Sequence, residues 1–144
     1  MFLKKISNNQ IGLSIIEIMV AFSILVIAFV GIAQAFPFSL SINKTAENST
    51  IASYLAQGKI EELFSLGYDN MGLGVVEVKQ RLDNDSDNYL YQYKRQTEID
   101  YVDGDLVVSI IDTEMKRIAV TVYFNNAISN QEQSYNITTL ISRK

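Results

Sequence analysis

Hydrophobic and polar positions divide this chain into three unlike stretches. From Leu13 to Leu40 the residues are largely apolar, and Glu17 is the single charge among them. Such a run exceeds the roughly 20 residues that carry an α-helix across a bilayer core. Beyond it the apolar positions thin to a stripe. Ala52, Leu55, Ala56, Ile60, Leu63 and Phe64 recur at spacings of three and four, while Asn48, Ser49, Ser53, Gln57, Lys59, Glu61 and Glu62 take the other positions. That spacing predicts one buried face of an amphipathic helix. Gly67, directly after Leu66, is a stop signal. The two stretches together predict one helix from about Leu13 to Ser65, roughly 80 Å long at 1.5 Å per residue. Pro37 inside it predicts a kink or local break.

After Gly67 the period changes to two. Tyr68–Gly74, with Gly72 and Gly74, reads as a loop. Tyr89, Tyr91, Tyr93, Thr97, Ile99 and Tyr101 alternate with largely polar neighbours, which predicts a strand over about Tyr89–Val102, the tyrosines serving cross-strand packing. Asp103-Gly104 is a hairpin-turn dipeptide. Leu106–Ile111, Arg117–Phe124 and Tyr135–Ser142 are three further strand candidates, joined by Asp112–Met115 and Asn125–Glu132. The expected fold class is α+β: a long N-terminal helix packed on a small antiparallel sheet. A head of this size has a small core, so the helix stripe must contribute much of its stability.

Composition narrows the chemistry. The 144 residues suit one domain, with 12 bases, 16 acids and a net charge of −4. Lys4 and Lys5 precede the apolar run; without Met1–Gly12 the remainder holds ten bases against sixteen acids, a net −6. By the positive-inside rule the N-terminus is cytoplasmic and the residues after about 42 lie outside. Cys and His are absent, which excludes disulfides, Cys/His zinc sites, thiol nucleophiles and imidazole-based triads. No catalytic constellation remains, no cofactor is expected, and an acidic chain without a basic stripe is not expected to bind nucleic acid. A conventional secretory signal is the competing reading of the N-terminus, with Ala33-Gln34-Ala35 in the A-x-A form and Phe36 as the new first residue. Against it, the apolar run is longer than the usual ~7–15 residues of a signal core. Glu17 also lies within it, and an acid at the centre of a spanning helix costs roughly 2.5–3.5 kcal/mol.

Gly12-Leu13-Ser14-Ile15-Ile16-Glu17, followed by Ile18-Met19-Val20-Ala21, resembles the N-terminal motif of type IV prepilins and pseudopilins. That motif is a short basic leader ending in Gly, then an apolar residue, usually Phe, with Glu at the fifth mature position; Leu13 stands here in place of Phe. The resemblance implies a cleaved leader over 1–12, a membrane and assembly half over 13–40, an amphipathic half over 41–66 and a head over 67–144. It implies cleavage between Gly12 and Leu13 by a membrane-embedded prepilin peptidase, and N-methylation of Leu13. Glu17 would pair with the Leu13 amine of a neighbouring subunit, neutralising two charges and setting the axial register. The implied partners are the peptidase, other pilin or pseudopilin subunits, the inner-membrane assembly machinery and membrane lipid. The implied location is the bacterial inner membrane, single-pass, and then a periplasmic or cell-surface filament. The stretch Tyr54–Leu63 also resembles the L-A-x-x-K-x-E-x-L segment of PilV-type minor pilins and of the minor pseudopilin I of type II secretion, which implies a minor subunit. The alternative function is a secreted or membrane-tethered binding module with a conventional signal.

The remaining candidates are weak. Asp83, Asp85, Asp87 and Asn88 imitate the first half of a calcium loop, but Asn88 stands where the loop needs Gly and Lys94 where it needs a bidentate Glu. A solvated acidic turn is the expectation, with no metal. Gly72-Leu73-Gly74 lacks the rest of a nucleotide fingerprint. Asn43, Asn48, Asn84 and Asn136 begin glycosylation tripeptides that carry no information in this context.

Overall fold

Helix α1 spans Ile15–Leu66 in the computed structural model, which describes residues Ser14–Arg143. The helix continues through Pro37, so the expected local break is not found. One proline removes a single backbone bond, which a helix with many turns on each side can absorb. The chain divides into two compact units that meet between Ser39 and Leu40.

The N-terminal unit holds the apolar half of α1. Ile15, Ile24, Ile27 and Ile32 point to different sides of the helix and are each more than 60% exposed. A helix apolar all round has no preferred face to bury on one partner surface. The most apolar 18-residue window has a mean hydropathy of 2.8 and none of it is buried, so this helix is long and apolar enough to cross a bilayer.

The second unit packs the rest of α1 on an antiparallel sheet. Its strands are β1 (Gly74–Arg81), β2 (Lys94–Val102), β3 (Val108–Ser109), β4 (Met115–Asn125) and β5 (Glu132–Ser142). The order is β1-β2-β4-β5, with β3 pairing β2. On β4 burial alternates strictly, and Lys116, Ile118, Val120, Val122 and Phe124 face inward. The four apolar ones meet Ala52, Ala56, Ile60 and Leu63 of α1 together with Tyr93 and Ile99. Ala52 and Ala56 are fully buried; having only a methyl group, they let helix and sheet approach closely. Each large aliphatic side chain in this layer contributes about 1.5–3 kcal/mol by leaving water.

The structure corrects several sequence expectations. Asn48, placed among the outward polar positions, is buried, and Phe64, placed in the stripe, is 43% exposed. Tyr89–Gln92 form a 3₁₀ turn ahead of β2, because the Asn88 side chain accepts the Leu90 amide (3.0 Å) and caps it. Strand β1 was not anticipated. Its Val75, Val76 and Val78 are exposed while Glu77 turns inward, and register shifts interrupt its pairing with β2, so it has no clean period of two. Of Leu106–Ile111, only Val108 and Ser109 pair. The turn before them places Leu106, not Gly104, at positive φ (63°), and the Leu106 amide donates to the Asp103 carbonyl at 3.0 Å.

Candidate assembly site

Gly12 and Leu13, the residues of the expected cleavage site, lie outside the described residues. Glu17 sits in the first turn of α1, and its amide donates to the Ser14 carbonyl at 3.0 Å. A carboxylate there suits the positive end of the helix dipole, which is the ordinary structural use of such a residue. Ile18, Ala21, Phe22 and Leu25 share its face, and no base among the described residues pairs with it. The next charged residue along the chain is Lys44, roughly 40 Å further on at 1.5 Å per residue. The span between them is longer than a ~30 Å hydrocarbon core. Glu17 is therefore an exposed acid on an apolar helix surface, chemically able to receive one cation.

In the head the polar side chains are used to hold the fold. Lys116, on the inward face of β4, is buried; its ammonium donates to the carbonyls of Tyr68 (2.7 Å) and Met71 (3.1 Å) and lies 4.3 Å from the Tyr68 ring centre. The Tyr68 hydroxyl donates to Asp112, and Arg143 bridges Asp69 and Asp112. These contacts tie the segment after α1 to the approach to β4 and to the end of β5. Burial, then the bond to Asp112, raises the Tyr68 hydroxyl above its ordinary pKa. The bond from Tyr68, the Glu114 amide and the charge of Arg143 hold the Asp112 carboxyl below its own.

A second cluster centres on Glu77. Arg95 grips it with two hydrogen bonds (2.9 and 3.0 Å) and the Thr97 hydroxyl donates a third (2.9 Å). Burial alone would raise this carboxyl, but the bonds from Arg95 and Thr97 outweigh it and depress the pKa. Glu132 is likewise depressed, first by Lys79 and then by Lys94. A carboxyl with a depressed folded-state pKa contributes stability above its unfolded pKa and loses it as pH falls through the folded value. The denaturant midpoint of the head should therefore fall as pH drops below the ordinary carboxylate range. Glu77→Gln should lower the midpoint at pH 7 and flatten that acid dependence; an unchanged slope in urea titrations from pH 7 to 3 would remove Glu77 from this account.

Asp83, Asp85 and Asp87 do not converge on a point. Asp83 accepts the Asp85 amide (2.8 Å) and the Asn88 side-chain amide (2.6 Å), and Asp85 accepts the Asp87 amide (3.0 Å), which is a self-bonded turn. Among the described residues no group of three or more His, Cys, Asp or Glu could hold a metal ion. Tyr93 is buried at the centre of the core, whereas Tyr89 and Tyr91 lie on the 3₁₀ turn, where Tyr91 stacks under Arg81 at 3.9 Å.

Sequence reasoning missed Asn48, Glu77 and Lys116 because each is a polar residue facing inward. The available signal was position alone: Lys116 lies two residues before Ile118 on the same side of β4.

Compared with known protein families, curated proteins and solved structures, the chain matches none.

Proposed function

We propose that this chain is a type IV pilin-like filament subunit, a minor pilin or pseudopilin, with a structural rather than an enzymatic role. The observation that carries the reading is the division of one helix: an apolar, unburied half bearing a lone acid in its first turn, and an amphipathic half that anchors an antiparallel head. In a filament the apolar halves would bundle and leave water, and Glu17 would find its counter-charge in the Leu13 amine created by cleavage after Gly12. Lys4 and Lys5 would keep the leader on the cytoplasmic side for the peptidase.

Mass spectrometry of the mature N-terminus tests this directly. A methylated Leu13 is the expected result; Phe36 as the first residue would place the chain with conventionally secreted proteins instead, and an intact Met1 with membrane-tethered ones. Gly12→Val puts a branched side chain next to the cut and should leave a precursor heavier by the leader. Normal maturation of that variant would show that the cleavage site lies elsewhere. In sheared filaments the chain should be far less abundant than the main subunit, as quantitative proteomics would measure.

A further inference from the structure

The segment between β2 and β4 carries apolar side chains where the fold has no use for them. Leu106, Val107, Val108, Ile110 and Ile111 are 52%, 59%, 56%, 100% and 74% exposed. Leu73, 48% exposed, joins Val108 and Ile110 along a groove of about 230 Å³. The groove opens where β1 stops pairing with β2 at Ile99 and β3 begins at Tyr101.

This segment is held in place. Asp103 accepts the amides of Asp105 (3.0 Å) and Val107 (2.9 Å), Ser109 closes a turn on Ile111, and the Thr113 hydroxyl donates to the Val102 carbonyl at 2.6 Å. The exposed apolar side chains of Leu73, Val108 and Ile110 share this groove on a pinned loop, and such a patch marks an interaction site.

Charge selects the partner. From Glu98 to Glu114 the chain has six acids and no base. Asp100 is neutralised by Arg117 and Asp112 by Arg143, and Asp103 is taken up by the turn. Among the described residues the carboxylates of Glu98, Asp105 and Glu114 have no ion partner. A second copy docked through the same face would set like charges against each other, and an anionic bilayer would repel them.

We infer that the groove lined by Leu73, Val108 and Ile110 is a docking surface for a different protein, one presenting an apolar patch bordered by Lys or Arg. This inference does not depend on the filament reading. A photoreactive amino acid placed at Ile110 in the full-length chain, illuminated in its native cells, tests it. The side chain is fully exposed, so the replacement leaves the head's unfolding midpoint unchanged. The expected product is an adduct with one other protein, its linked peptide apolar and flanked by Lys or Arg. Asp105→Lys should reduce the adduct about tenfold, and reversing the flanking base on the partner should restore it. An adduct with a second copy, an adduct with lipid, no adduct at all, or a yield indifferent to Asp105→Lys would each overturn the proposal.

Discussion

Under the filament subunit proposed above, Glu17→Val is expected to yield a chain that is inserted and processed but fails to enter the filament. The substitution makes the apolar half of α1 more uniform, so insertion gains slightly if it changes at all. The residues flanking the proposed cut are untouched, so cleavage after Gly12 would persist. On the proposed filament reading, what would be lost is the acceptor for a neighbour's Leu13 amine. An ammonium carried into an apolar bundle without its partner costs roughly 3–5 kcal/mol for a broken buried pair, about two to four orders of magnitude in an association constant. Glu17→Gln retains shape and hydrogen-bonding capacity while removing the charge, and should show an intermediate defect. Co-purification of processed Glu17→Val with filaments at the wild-type level would defeat the pairing role and leave Glu17 as a helix-terminus carboxylate.

Tyr93→Ala is expected to have the largest effect on the head. Tyr93 is fully buried between α1 and the sheet, and its hydroxyl donates to Asn48 Oδ1 at 3.3 Å. Asn48 in turn donates to the Asn125 carbonyl at 3.3 Å, at the end of β4. Removing the ring opens a cavity at the centre of the layer, for which buried aromatic-to-alanine changes cost about 3–5 kcal/mol. It also strips a buried amide oxygen of its donor, a further penalty of about 1–3 kcal/mol where water cannot enter. Domains are stable by only about 5–15 kcal/mol, so this variant should be largely unfolded at physiological temperature. Tyr93→Phe keeps the ring and loses only the hydroxyl, and should cost about 1–3 kcal/mol. Urea unfolding followed by circular dichroism separates the two; a small loss for Tyr93→Ala would mean that the helix is held to the sheet by other contacts.

Both predictions use residues whose meaning differs in visibility. Glu17 stands out because it is the lone charge in a long apolar run, a contrast that exists in the sequence before any folding. Asn48 does not, since a polar residue at a helical spacing reads as solvent-facing. Only the arrival of Tyr93 and the Asn125 carbonyl at that point of the helix makes its burial favourable. The same distinction separates β4 from β1. In β4 every second residue is buried, as a strand with one covered face requires. In β1, an edge strand with shifted register, Glu77 points inward because Arg95 and Thr97 on β2 wait there, and the valines point out.

The order of hydrophobic and polar residues by itself determined the long helix, the change from an apolar half to an amphipathic half, the stop at Gly67 and the α+β class. These depend on periodicity and on backbone conformation at single residues, both local properties. Tertiary structure alone decided which polar groups are buried, that Leu106 rather than Gly104 takes the positive φ of the turn, and that Leu106–Ile111 lie exposed instead of forming a full strand. The burial is settled by partners distant in sequence, whereas the turn is fixed by the bonds that Asp103 makes with Asp105, Leu106 and Val107. A buried charge such as Lys116 is tolerable only where carbonyls and rings from another segment replace its water.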